Sequence, residues 1–291
     1  MDRRTFLQQI GAGLAAGALG WSGHAGPLWA RSWYGGSGLR GRVALLADAH
    51  LDASPRGEYA AHHLWAAVTA INALQPPVDL VFFLGDLSHA GDVQGFARGW
   101  DILAKLAAPC WLLPGEHEPS GWFQGDDRLG NFSFSWQGIH FLGVNTANPG
   151  FADLEARFGL TPPRLAWLAG ELAQVPPEQP LIILSHAPLY PLFRPWHWWT
   201  AGATGLTARL AGRLQVLLLH GHVHQYLGSQ MGNLLFQGVR ATSWPLPDVH
   251  MGTPATCPEP HEKPGRAGCG WLLLDISSQG TFALTDQVWT A

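Results

Sequence analysis

Five short stretches of the chain carry the side chains from which metal and proton chemistry is built. They are Asp48-Ala49-His50, Gly85-Asp86, Gly115-Glu116-His117-Glu118, Ser185-His186 and Gly221-His222-Val223-His224. Each closes an apolar run that reads as a buried strand: RVALLADAH, VDLVFFLGD, PCWLLPGEHE, PLIILSHAP and LQVLLLHGHVH. Residues i and i+2 of an extended segment project to one side, so Asp48 with His50, and His222 with His224, can each grip a single centre. Glycines ahead of Asp86, Glu116 and His222 let the backbone turn sharply or approach a ligand closely. Gathering so many ionisable groups beside a core is tolerable when cations neutralise them. Carboxylate and imidazole donors suit manganese, iron or zinc. The chain has no CxxC pair, which disfavours a structural thiolate–zinc site.

The elements that must position these residues alternate in type. EYAAHHLWAAVTAINAL and DVQGFARGWDILAKLA have helical periodicity and separate the first three strands. Strand–helix–strand alternation predicts parallel strands covered on both faces. Ligands in open α/β sheets collect beyond the carboxyl ends of strands, so the five ends can converge. NFSFSW, a QG turn and IHFLGVNT predict an antiparallel hairpin. TPPRLAWLAGELAQV predicts a helix with proline in its first turn. Residues 204–213 predict another helix, and the tail from QYLGSQMGNLLFQGV to FALTDQVW is strand-rich. The long loop 248–268 reads as a lid or an unstructured connection.

Composition narrows the function classes. The chain has 291 residues, a net charge of −4 and only 13% charged residues, so no nucleic-acid-binding surface is expected. Its 14 histidines nearly match its 17 lysines and arginines, a balance suited to metal or proton chemistry. The first segment, DRRTFLQQIGAGLAAGALGW, resembles a twin-arginine export signal. Residues 1–30 are therefore read as the signal, 31–41 as a linker and 42–291 as a single domain. The reading implies the twin-arginine export machinery as a partner and a periplasmic or otherwise exported location. Cleavage after Ala25 or Ala30 is expected, and an uncleaved membrane tether is the alternative. Outside the cytoplasm Cys257 and Cys269 could form a disulfide, whereas Cys110 reads as a buried small hydrophobe.

As an ordered set, the five stretches resemble the calcineurin-like metallophosphoesterases, whose pattern runs D-x-H, G-D, G-N-H-D/E, H, G-H-x-H. The resemblance covers about residues 42–225. It implies a two-sheet β-sandwich flanked by helices, a four-layer αββα architecture, with the strand-rich tail fitting the second sheet. It implies two divalent or trivalent metal ions. Asp48, His50 and His224 would hold one, Glu116, His186 and His222 the other, and Asp86 would bridge them. Two ions about 3.5–4 Å apart can clamp the attacking and leaving oxygens of an in-line displacement, with a metal-bound hydroxide as nucleophile. His117 would contact the phosphate or protonate the leaving oxygen.

The implied activity is hydrolysis of a small-molecule phosphate ester, a phosphodiester in preference to a monoester. One position departs from the pattern: Glu116 stands where the family has Asn. Two divalent ions against two carboxylates and a hydroxide leave a net charge of about +1, and a third carboxylate lowers it to about 0. Either Glu116 coordinates, which favours a trivalent iron, or it swings away and leaves water in its place. The alternative function is a metal-binding scaffold or assembly protein of the same fold with weak or no hydrolysis.

Other residues attract lesser expectations. His89, three residues after Asp86, is expected to orient a ligand from behind or to lie partly exposed, and it is a candidate substrate-binding residue. Trp196, His197 and Trp198, in the loop YPLFRPWHWWT, could bind substrate by stacking a nucleobase or sugar, dip into a membrane interface, or merely cover a sheet edge. His220 is expected to face away from the centre, and His62 and His63, on the first helix, to lie at the surface or pack that helix.

Overall fold

A computed structural model describes residues 38–119, 130–148, 157–247 and 256–290. The signal segment, the start of the linker and residues 248–255 lie outside the described residues. The first half of the chain runs β1 (Leu39–Leu46), α1 (Pro55–Asn72), β2 (Leu80–Phe83), α2 (Val93–Leu103), β3 (Cys110–Leu112), β4 (Phe132–Trp136) and β5 (Ile139–Val144). It continues with α3 (Pro162–Gln174), β6 (Leu181–Ser185), a 3-10 turn at Arg194–Trp196, α4 (Ala203–Leu210) and β7 (Val216–His220). The last strands are β8 (Gly228–Met231), β9 (Leu234–Gly238), β10 (Gly270–Ser277) and β11 (Phe282–Val288).

Two mixed sheets result, ordered β11-β10-β1-β2-β3 and β4-β5-β6-β7-β9-β8. Strands β1, β2 and β3 are parallel, as are β5, β6, β7 and β9. Side-chain alternation along these strands builds the layers. Val43 and Leu45 of β1 meet Phe141, Ile182, Leu184 and Leu219 in a core between the sheets. Their neighbours Ala44 and Leu46 pack instead with Leu64, Val68 and Ile71 of α1 and Phe96 of α2. Leu142, Ile183 and Leu218 of the second sheet pack with Leu168 of α3 and Leu206 of α4. The expected four-layer αββα architecture is therefore present. Phe82 joins the two sheets by stacking at 5.6 Å on Phe132 and at 5.4 Å on Phe141.

Helix starts follow local chemistry. Ser54 caps α1 by accepting the Gly57 N–H, and Pro55 occupies its first turn. Asp92 caps α2 by accepting the Gly95 N–H at 2.7 Å.

Two boundaries differ from the sequence reading. Strand β1 begins inside the segment read as linker, because Leu39 pairs with Ser277 and Gly41 with Ile276 of β10. The tail does not build the second sheet alone. Strands β8 and β9 join it, but β10 and β11 extend the first sheet beside β1. GWLLLDIS is apolar at consecutive positions because β10 is buried on both faces.

Candidate metal centre

The carboxyl ends of β1, β2 and β3 in one sheet and of β6 and β7 in the other meet at one edge of the sandwich. Beyond those ends the backbone is held in a costly shape. Asp48, His50, Asp86, His222 and His224 all take left-handed φ values, between 49° and 65°, a conformation that non-glycine residues keep only when their surroundings fix it. Those surroundings are visible. The Asp48 N–H donates to Gly85 O at 3.0 Å and the His50 N–H to Asp86 O at 2.9 Å, which locks the β1 end to the β2 end. The His222 N–H donates to both Asp48 carboxylate oxygens, at 3.0 and 3.1 Å, which ties β7 to β1. Glycine is required where loops cross: a Cβ on Gly85 would lie 2.5 Å from His186 Nδ1, and one on Gly115 would fall on Asp86 Oδ1.

These constraints bring all seven expected ligands together in two groups, Asp48, His50 and His224, and Asp86, Glu116, His186 and His222. In the first group, His224 Nδ1 donates to Trp244 O at 2.7 Å, which leaves its Nε2 lone pair facing His50 Nε2 at 3.1 Å. Burial drives His224 down to about 3, and burial, then the charges of neighbouring imidazoles, holds His50 well below its ordinary value. Both rings are therefore neutral and able to coordinate. On its other side, His50 Nδ1 meets His89 Nδ1 at 3.2 Å, a contact that holds the His50 ring from behind. Trp244 stacks on the His50 ring at 4.8 Å.

In the second group, His186 Nδ1 donates to Leu84 O at 2.7 Å, and its Nε2 lies 2.8 Å from Glu116 Oε2 and 3.3 Å from Asp86 Oδ2. Burial alone would lower His186, but Asp86 and Glu116 outweigh it and hold it well above its usual range. Burial alone would likewise raise Glu116, and His222 with His186 outweighs it and holds the carboxyl well below. Glu116 has thus not swung away: its Oε1 also lies 3.3 Å from His222 Nδ1. Asp86 stands between the groups, with Oδ2 3.6 Å from His50 Nε2 and 3.3 Å from His186 Nε2.

The donor set fits a pair of transition-metal cations. Three carboxylates share one buried space, and burial, helped by Asp86 and Glu116, pushes Asp48 well above the carboxylate range. Two neutral imidazoles aim their Nε2 atoms at each other, and His222 turns its Nδ1 to the Glu116 carboxylate at 3.3 Å. Cations placed among these atoms remove the carboxylate repulsion and take up the converging lone pairs.

His117 takes a separate position. Its N–H donates to Asp86 Oδ1 at 2.9 Å, its Nδ1 accepts the Ala90 N–H at 3.0 Å, and its ring stacks on His89. A neutral His117 therefore carries its proton on Nε2, which sits 3.9 Å from Glu116 Oε1 on a partly exposed ring. Two contributors had no assignment from sequence. Glu118 accepts three N–H groups, from Leu87 at 2.6 Å, Gly115 at 2.5 Å and Asp86 at 3.2 Å. It braces the β2 and β3 ends from below, and burial, then the Asp86 charge, raises it to about 7. Arg157 Nη1 stands 4.0 Å from Glu116 Oε1. The acid after His117 signalled the first; an arginine far from any strand end signalled nothing.

The aromatic loop behaves differently from the stacking expectation. Trp198 is 1% exposed, packed edge-on against Trp196 at 5.1 Å, so it offers no face to a ligand. Trp196 also spends its ring on Phe193, at 5.3 Å, and His197 takes a left-handed φ of 57° at the end of the 3-10 turn. Their described contacts stay within the loop, which meets the centre indirectly. Ala201 N–H donates to Phe158 O, and the Phe158 ring packs on His222 at 4.6 Å. Cys257 and Cys269 are free thiols, not a disulfide. Cys257 is held by Arg56 Nη1 at 2.9 Å near His89, while Cys269 is buried. His220 is buried against Tyr190, pointing away as expected, and His63 packs α1 against Ser243 O.

Known proteins are similar to this chain in sequence and fold. The profile of the Calcineurin-like phosphoesterase family matches residues 41–226. A 3',5'-cyclic adenosine monophosphate phosphodiesterase of Escherichia coli K12 is 28% identical over 286 residues, spanning 86% of this chain and 89% of that protein. A probable cyclic nucleotide phosphodiesterase of Rhodopseudomonas palustris is 29% identical over 158 residues, 50% of this chain and 57% of its own length. A probable glycerophosphodiester phosphodiesterase of Arcobacter nitrofigilis is 24% identical over 161 residues, again 57% of its length. The chain thus spans a little over half the length of the latter two. A dimetal phosphatase of Danio rerio superposes with a TM-score of 0.59 at 14% identity, covering 87% of this chain and 100% of that one, a likeness of fold. The chain belongs to the calcineurin-like phosphoesterase family.

Proposed function

We propose that the protein is an exported, metal-dependent phosphodiesterase acting on a small phosphodiester, with cyclic nucleotides the first class to try. One observation carries the reading: a single Asp86 oxygen lies within 3.6 Å of His50 Nε2 and 3.3 Å of His186 Nε2, so one carboxylate serves both ligand groups. Asp48, His50 and His224 would hold one ion, and Glu116, His186 and His222 the other. When bound, such ions supply Lewis acidity and an activated water for in-line displacement at phosphorus. The residues do the rest. Asp86 fixes the spacing of the two seats. His117 presents its Nε2 proton to a phosphate oxygen or to the departing alkoxide. His89 holds the His50 ring, and Trp244 covers it.

The preference for a diester draws on the printed names of the relatives, two of which refer to cyclic nucleotides and one to a glycerophosphodiester. Export rests on Arg3 and Arg4 ahead of a Gly/Ala-rich run. Among the described residues no helix is long and apolar enough to cross a membrane. A second reading, a metal-binding scaffold with little hydrolysis, is favoured by Glu116, which engages His186 and His222 together. The test is turnover of an aryl phosphodiester, an aryl phosphomonoester and 3',5'-cyclic AMP by protein loaded with manganese, iron or zinc. Diester hydrolysis exceeding monoester hydrolysis is expected. Two bound ions with no turnover of any ester would favour the scaffold.

A further inference from the structure

We infer that Arg157 is a phosphate-binding residue of this centre: its guanidinium offsets the extra carboxylate of Glu116 and grips a non-bridging oxygen of the bound phosphoester. The inference rests on the phosphoesterase reading for the identity of that anion. Its physical basis is independent of turnover.

Glu116 brings a third carboxylate into a ligand set that already holds Asp48 and Asp86. A centre this rich in negative charge binds cations well and repels an anionic substrate. Among the described residues, Arg157 is the only arginine or lysine with a nitrogen within 4.0 Å of any of those three carboxylates. Its backbone is fixed relative to the centre. The Arg157 carbonyl accepts the Asn148 N–H at 2.9 Å, and the next residue, Phe158, bridges to Ala147 and packs its ring on His222 at 4.6 Å.

The contact with Glu116 is of a particular kind. At 4.0 Å it is a charge contact rather than a hydrogen bond, so Glu116 itself takes none of the five guanidinium N–H donors. His117 Nε2 lies 3.9 Å from the same Glu116 oxygen. Two donors from separate loops therefore flank the same Glu116 oxygen of the second ligand group. The Arg157 side chain is 36% exposed and that of His117 27%, so solvent reaches both side chains. A planar fork beside an imidazole N–H donor is an arrangement that holds a phosphate oxygen.

The test uses full-length protein and two equilibrium readouts by calorimetry: Mn2+ binding to chelator-stripped protein, and inorganic phosphate binding to the Mn2+-loaded protein. Removing a cation should help one and harm the other. Arg157→Met is expected to tighten Mn2+ about threefold to tenfold, the scale of a partly screened charge contact. It should weaken phosphate about tenfold to a hundredfold, the scale of a charge-assisted hydrogen bond. Arg157→Lys should keep the Mn2+ affinity of the natural protein and regain only part of the phosphate affinity. In a Glu116→Asn background the Mn2+ effect of Arg157→Met should shrink to less than about twofold. Phosphate affinity unchanged in Arg157→Met, or both affinities falling together, overturns the inference. If these arms behave as stated while the natural protein hydrolyses no ester, the anion site stands and the phosphoesterase reading falls.

Discussion

The two ligand groups share Asp86 but differ in charge and cover. Asp48, His50 and His224 are all buried, and the group carries one carboxylate of its own with two imidazoles held neutral by burial. The far nitrogen of each ring is engaged, His224 by Trp244 O and His50 by His89. The second group sets Asp86 and Glu116 against His186 and His222, and it is partly open at Glu116 and His222. Here the carboxylates dominate and draw His186 well above its usual range. The difference separates two tasks. On the proposed reading the closed seat would fix an ion by geometry, while the open one keeps negative charge beside solvent, where a cation and an anionic substrate would meet.

Losing the shared residue should be the heaviest blow. Asp86→Asn removes charge from both seats at once, and its diester turnover should fall by at least about a thousandfold. Elemental analysis should find fewer than two ions per chain; full occupancy would break the idea of a common bridge.

The comparison sharpens when each seat is lost alone. His224→Ala should empty the closed seat and leave the carboxylate-rich one filled, and His186→Ala the reverse. Each should weaken its own ion by at least about a hundredfold. Anomalous scattering from crystals of each variant would locate the surviving ion, and the same ion lost in both variants would merge the two groups into one.

A smaller effect is expected below both seats. Glu118→Gln keeps the shape of the brace but replaces one acceptor oxygen with a donor opposite backbone N–H groups. Thermal unfolding should show a loss of about 1–3 kcal/mol, with the ion count unchanged. Unaltered stability would mean that the brace is dispensable.

The last effect, felt only at acid pH, concerns a histidine outside both groups. Burial lowers His220 to about 4, so between the ordinary value of 6.5 and that figure the unfolded chain binds a proton that the folded protein does not. Folding stability is therefore lost as pH falls through this window, by at most about 3 kcal/mol from this residue. Chelator-stripped His220→Phe should unfold with a flatter dependence over that range. An unchanged slope would remove His220 from the account.

How much of this was legible in sequence follows from what each residue depends on. Asp48, His50, Asp86, Glu116, His186, His222 and His224 stand within a few residues of strand ends, where alternation and glycines mark the backbone, and all seven meet. The layers were legible for the same reason, since Val43 and Ala44 face different cores. The partition of the tail was not, because a strand that is apolar on both faces, such as β10, fits either sheet. Trp198 and the two thiols misled because exposure and pairing are decided by packing that no local pattern reports. Arg157 was invisible because its place depends on the loop returning past Ala147 and Asn148.

The central claim is that the two groups are distinct seats joined by Asp86. The direct measurement is metal content of the purified full-length protein after reconstitution with Mn2+, followed by anomalous scattering from its crystals. The account predicts two ions per chain, one among Asp48, His50 and His224, the other among Glu116, His186 and His222, both touching Asp86. A single ion, or none under saturating metal, would contradict it.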